Sequence, residues 1–216
     1  MAVVTVTGGT GYIGRALIEQ LIASGHTVTA LARPQSRGKV PAGATIVEGS
    51  PLQSEDVARA LSPGGTLVLL VGTPHPSPSK AAQFQDIDLA SVRAAADAVQ
   101  RVPVAHVIYV SVAHPAPVMA AYIAARREGE RLLKQTRVPL TVLRPWYVLG
   151  PGHWWPVALI PLYTLCERIA STRDTALRLG LVTHAQMVSA LAAATTAAVP
   201  APFRVLDVPA IRATRP

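Results

Sequence analysis

Eight residues near the start of the chain, Thr7-Gly8-Gly9-Thr10-Gly11-Tyr12-Ile13-Gly14, restrict its folding more than any others. They stand between the apolar run Val3-Val4-Thr5-Val6 and an amphipathic stretch from Tyr12 to Ser24. A strand, a glycine-rich turn and a helix in that order predict a phosphate cradle of the dinucleotide type. Gly8 allows a sharp turn, Gly11 leaves room for backbone to approach a pyrophosphate, and Gly14 lets the helix pack close on the strand. The stretch Thr10 to Ile13 then offers unpaired N–H groups and a partial positive charge to the phosphates. The plainer alternative is a tight turn that only connects strand to helix.

A chain of 216 residues has room for one domain with a substantial core, or one domain and a small cap. With 50% apolar and 15% charged residues it is expected to be a compact globule rather than disordered. The oily segment Trp154 to Leu162 is broken by prolines and short for a bilayer, so no membrane span is expected. No basic region precedes the first apolar run, so no signal peptide is expected either. Cys166 is a lone cysteine, which leaves no intrachain disulfide, and a cytoplasmic location follows as the expectation. The net charge of +8 comes almost wholly from arginine. Those arginines are scattered, only Arg126-Arg127 are adjacent, and no basic run interleaves with aromatics. Nucleic acid is therefore not an expected partner. The charge reads as a solvated surface plus a few anion-binding arginines.

Strand and helix patterns alternate along the chain. Strands are expected at His26–Leu31, Ala44–Glu48, Thr66–Val71, His106–Val110 and Leu140–Leu143 after the first. Helices are expected from Ser54 to about Leu61, from about Lys80 to Gln100 and from about Val118 to Gln135. Thr66-Leu67-Val68-Leu69-Leu70-Val71 is apolar throughout, as in a parallel sheet buried on both faces. The pattern predicts an α/β fold: a Rossmann-like, doubly wound parallel sheet in residues 1–150. Residues 151–216 are expected to pack on it as a small C-terminal substrate or lid segment, the whole forming one unit. There a mixed helix is expected near Pro156–Ile169, a strand-like Leu179–Val182, a helix capped by Thr183, and a last strand at Phe203–Asp207.

The order of motifs resembles the extended or atypical short-chain dehydrogenase/reductase superfamily over essentially the whole chain. The resemblance rests on Thr7 to Gly14, on Val110-Ser111 closing strand five, on Tyr122 in the next helix, and on Leu143-Arg144-Pro145-Trp146-Tyr147-Val148-Leu149-Gly150-Pro151-Gly152. Leu181-Val182-Thr183 leading into a helix adds to it. The length is closer to small NAD(P)H-binding reductases of the flavin- or biliverdin-reductase kind, and to the NmrA-like branch, than to sugar epimerases. In this fold the end of strand two meets the adenosine ribose, where an acid holds the hydroxyl of NAD and an arginine accommodates the phosphate of NADP. This chain has Ala32-Arg33, 19 residues past Gly14, with Ser36, Arg37 and Lys39 beyond and no acid nearby. NADP(H) is the expected cofactor, with NAD the alternative. Relatives carry Gly-Asp after strand three where this chain has Gly49-Ser50, which puts Ser50 beside the adenine. Gly72 and Thr73 are expected beneath the cofactor, Thr73 either reaching a ribose or merely closing a turn.

Reductases of the superfamily use a serine, a tyrosine and a lysine one helical turn after the tyrosine. Ser111 and Tyr122 match the first two, and Arg126 stands where the lysine belongs. Arg126 shares a helix face with Tyr122 and can stabilise a tyrosinate by charge, but it stays protonated and relays no proton. The structural alternatives are Ser111 as a turn cap, Tyr122 as a half-buried helix residue and Arg126 as an ion-pair partner of Glu130. His75 and His114 fall on loops at the carboxyl ends of strands, either as alternative acids or as surface histidines. No clustered ligands suggest a metal. Trp146, Tyr147, Trp154 and Trp155 could wall a pocket for a flat, small-molecule ligand, or serve as core or as an oligomer contact. The resemblance implies a reductase passing hydride from NADPH to a carbonyl, quinone or flavin-like acceptor. A non-catalytic, NmrA-like cofactor sensor or assembly factor is the rival, and a nucleotide-sugar epimerase or dehydratase the third reading.

Overall fold

The computed structural model describes residues 1–150, 160–198 and 202–214. Its frame is a parallel sheet whose first six strands are β1 (Val3–Thr7), β2 (Thr27–Ala32), β3 (Thr45–Glu48), β4 (Thr66–Leu69), β5 (His106–Val110) and β6 (Leu140–Leu143). The short strands β7 (Tyr147–Leu149) and β8 (Leu181–Thr183) pair with each other outside it. The last strand, β9 (Phe203–Leu206), returns to the main sheet beside β6. The order among the described residues is β3-β2-β1-β4-β5-β6-β9. The strand order reverses between β1 and β4, which opens a crevice at their carboxyl ends.

Helices cover both faces. Along β4 and β5 the side chains alternate, so Val68 and Ile108 point to one face while Leu67, Leu69, Val107 and Tyr109 point to the other. The first face packs on α1 (Tyr12–Ala23), α8 (His184–Thr196) and α9 (Val208–Ala213), through residues such as Leu17, Ile18, Leu21, Met187 and Ile211. The second packs on α2 (Ser54–Ala60), α4 (Ala90–Arg101) and α5 (Ala120–Gln135), through Val57, Val92, Val99 and Leu133. Fully burying each Leu, Ile or Val contributes roughly 1.5–3 kcal/mol, and the two clusters make the sheet continuous apolar material on both sides.

Three features depart from the expected order. The helix expected from Lys80 to Gln100 is composite: one turn, α3 (Ala81–Gln83), a π segment (Phe84–Leu89), then α4. After residue 150, α8 packs on α1 and β9 extends the main sheet beside β6. Finally, β7 and the helices α6 (Ile160–Arg168) and α7 (Ala170–Arg178) divide stretches that looked irregular or continuous. Thr183 caps α8 as expected: its hydroxyl accepts from the Gln186 N–H at 3.1 Å, and its own N–H donates to Gln186 Oε1 at 2.9 Å.

Candidate functional site

The turn after β1 needs its glycines. Gly8 lies at φ +76°, and a Cβ there would stand 2.7 Å from the Leu70 carbonyl carbon. A Cβ on Gly14 would strike the Gly8 carbonyl oxygen, so the helix can approach the turn only because Gly14 lacks one. Gly11 is the N-cap of α1 and supplies no side-chain cap. The first-turn N–H groups therefore face outward for a ligand to satisfy. Beyond the turn runs a groove of about 390 Å³. Gly8, Thr10 and Gly11 of the turn line it together with Arg33, Ser50, Gly72 and Ile87. Backbone donors at the turn and the Arg33 cation line one groove, and such a lining fits a nicotinamide dinucleotide.

Several expected contacts are brought together there, and others point elsewhere. Arg33 is exposed, whereas Arg37 is tied to Glu48 at 2.7 Å. The Ser50 N–H donates to Asp56 Oδ2 at 2.7 Å, so Asp56 supplies a carboxylate below Gly49 that sequence reading missed. Tyr12 lines a neighbouring cavity rather than the groove, and Ile13 packs against the core cluster around α1. Thr73 is buried and its hydroxyl donates to Asp88 Oδ2 at 2.6 Å, which commits its proton away from any ribose.

The arginine expected in place of the lysine is also committed. Arg126, 5% exposed, donates from Nη2 to Asp88 Oδ1 at 2.6 Å. Its Nη1 donates to the carbonyl of Val110 at 3.0 Å and to that of Val71 at 3.4 Å. Burial opposes the guanidinium charge, but Tyr122, Tyr109 and Asp88 around it outweigh that cost and hold its pKa above the ordinary arginine value. The carbon of the guanidinium lies 5.1 Å from the centre of the Tyr122 ring. It is thus stacked on the ring by a cation–π contact. The alternative pairing of Arg126 with Glu130 does not occur.

Glu130 instead accepts from the Ser111 hydroxyl at 2.7 Å and from two nitrogens of Arg144. Burial pushes its pKa up, but the bonds from Arg144 and Ser111 prevail and the carboxyl titrates below its usual range. His114 stands 3.6 Å from the same carboxylate, and burial, aided by the charge of Arg144, lowers its pKa. Ser111 is therefore part of a polar knot between β5, β6 and α5, with its proton given to Glu130.

Tyr122 faces a different space. A cavity of about 500 Å³ is walled by Tyr12, Tyr122, Trp146 and Tyr147, with Val112 rather than Ser111 at the end of β5 among the described residues. Two residues of its rim, His75 and Met119, hold positive φ of 48° and 64°. Such backbone costs about 1–3 kcal/mol and collects at functional sites. Trp154 and Trp155, expected in the same wall, lie outside the described residues, as do Pro151 and Gly152. The cavity adjoins the groove at consecutive residues: Gly11 and Pro74 line the groove, Tyr12 and His75 the cavity. Tyr12 is seated from behind by α8. The His184 ring lies 4.1 Å from its own, and His184 Nε2–H donates to the Tyr12 carbonyl at 3.1 Å. Gly150 leaves the space the Tyr12 ring occupies. No group of potential metal ligands and no helix long and apolar enough to cross a membrane occurs among the described residues.

Residues 8–150 match a family model described as NAD(P)H-binding. No curated protein matches the sequence. A short-chain dehydrogenase/reductase superfamily protein from Agrobacterium tumefaciens, solved with bound NAD, is 16% identical at a TM-score of 0.69, covering 97% of this chain and 80% of its own. UDP-galactose 4-epimerase is 19% identical at 0.72, with coverage of 94% and 76%. The Bordetella bronchiseptica enzyme WbmG in complex with NAD is 19% identical at 0.67, with coverage of 95% and 72%. At these identities the likeness is one of fold.

Proposed function

The chain belongs to the NAD(P)H-binding family, with the fold of the short-chain dehydrogenases/reductases, and on that footing we propose that it is an NADPH-dependent reductase of a flat carbonyl, quinone or flavin-like acceptor. The observation that carries the reading is the aromatic cavity abutting the dinucleotide groove at Gly11-Tyr12 and Pro74-His75. A reduced nicotinamide, when bound, supplies the hydride.

The chain's own residues then divide the remaining work. The Tyr12 and Ile13 N–H groups bind the pyrophosphate, and Gly8 and Gly11 let it come close. Arg33 takes the ribose phosphate with a planar, charge-assisted grip. Ser50 lies toward the adenine. Tyr12, Trp146 and Tyr147 hold the acceptor flat and exclude water. Tyr122 gives a proton to the acceptor oxygen as the hydride arrives, which leaves a tyrosinate for solvent to reprotonate. Ser111 acts at one remove, through the knot with Glu130, and Arg126 through its stack on the Tyr122 ring.

The commitment of Ser111 to Glu130 and of Arg126 to Asp88 favours one rival, a cofactor sensor that binds without turnover. An epimerase or dehydratase reading asks more of these same residues. The deciding experiment follows NADPH absorbance with a panel of quinones, flavins and small carbonyls. Turnover that falls sharply in Tyr122→Phe and less in Ser111→Ala supports the reductase. Tight NADPH binding with no turnover on any acceptor supports the sensor.

A further inference from the structure

We infer that Asp88 is the positioning residue of the cofactor loop, and that Arg126 is its strut rather than a replacement for the missing lysine. The inference rests on the groove being a dinucleotide site.

Asp88 is 1% exposed and lies in the π segment that interrupts the helix before α4. Such wide turns are rare and recur at functional sites, because they rotate side chains off the regular helical faces. Three residues of this one touch the site. Phe84 packs on the Tyr122 ring with centroids 5.0 Å apart, Ile87 lines the groove, and Asp88 faces the loop after β4. One carboxylate oxygen accepts both the Thr73 N–H at 2.9 Å and the Thr73 hydroxyl at 2.6 Å. The other accepts from Arg126, which reaches on to the carbonyls of Val71 and Val110 just past β4 and β5. Gly72 permits this, since a Cβ there would collide with the guanidinium. A buried ion pair adds little net stability over an apolar filling of the same volume. Its effect here is geometric: it fixes residues 71–73 between two strand ends, on the side of the groove nearer the acceptor cavity.

The test compares wild type, Asp88→Asn, the double variant Asp88→Asn/Arg126→Gln and Ser91→Ala. The double variant leaves no buried charge unpaired, although Gln is smaller than Arg, and it carries the test where the single variant does not fold. Ser91→Ala disturbs the same helix, where its hydroxyl bonds the Asp88 carbonyl, without touching the loop. Amide hydrogen exchange of the protein without cofactor is expected to quicken at least tenfold at Thr73 in the double variant, with β5 still protected. NADPH titration by fluorescence is expected to show at least a tenfold rise in Kd there and less than twofold in Ser91→Ala. Unchanged exchange at Thr73, or an equal loss of affinity in Ser91→Ala, overturns the inference. A wild type that binds neither NADPH nor NADH overturns the dinucleotide reading instead, and the exchange result alone then judges the hold of Asp88 on residues 71–73.

Discussion

Arg33 stands exposed at the end of β2 and makes no ion pair with any described residue, while Arg37 is held by Glu48. Arg33→Ala is therefore expected to raise the Kd for NADPH about tenfold, the size of one charge-assisted bond, and to leave that for NADH unchanged in parallel fluorescence titrations. Tyr122→Phe is expected to lower kcat about 100-fold with cofactor affinity intact, because only the proton donor is removed. The roles of Gly11 and Gly14 were readable in the sequence because they are local, set by the Gly8 carbonyl a few positions away, whereas the close approach of Gly8 to Leu70 was not. Thr73, Ser111 and Arg126 were not, because their partners Asp88, Glu130 and Asp88 lie 15, 19 and 38 residues distant. A spacing can match a motif while tertiary packing turns the side chain elsewhere. One signal was available: Asp88 follows Phe84 by four positions and stands between Ile87 and Leu89, and a carboxylate on such an apolar face calls for a partner.

The helices and strands of the first 150 residues were largely readable, because each carries a long apolar period and a glycine, proline or polar stop. The π segment was not, since it repeats the periodicity of an ordinary helix until the contacts of Asp88 and Phe84 are known. β7 escaped because it is three residues long and pairs with β8, far along the chain. α9 is signalled by Asp207, whose carboxylate accepts from the Ala210 N–H at 3.0 Å, and by Pro209 after it, although the apolar run before that aspartate makes it look like the end of a strand. Two element-level changes follow. Gly14→Ala would wedge α1 away from the Gly8 carbonyl and is expected to cost about 1–3 kcal/mol, measured by urea denaturation, along with most NADPH affinity. Thr183→Ala removes the capping box of α8 and is expected to cost about 1 kcal/mol in the same assay.

The assembled sheet also carries a response to pH. His106, buried at the start of β5, shares a hydrogen bond with Thr141 Oγ1 of β6 at 2.9 Å and has its pKa pushed down to about 4, first by burial and then by the charge of Arg204. The folded protein thus holds the ring neutral where the unfolded chain would protonate it. Stability from this residue is complete above about pH 6.5, declines as pH falls toward 4 and levels off below, a loss of up to about 3 kcal/mol. Denaturation midpoints across that range are expected to show the decline, and His106→Gln to flatten it. The doubly wound sheet was evident from alternating patterns alone, whereas β9 beside β6 was not, because pairing order is set by docking rather than by composition. The contact of His184 with Tyr12 joins residues 172 positions apart. During synthesis the phosphate turn leaves the ribosome long before the histidine that seats it. The seat of the Tyr12 ring is accordingly completed only once α8 has been made.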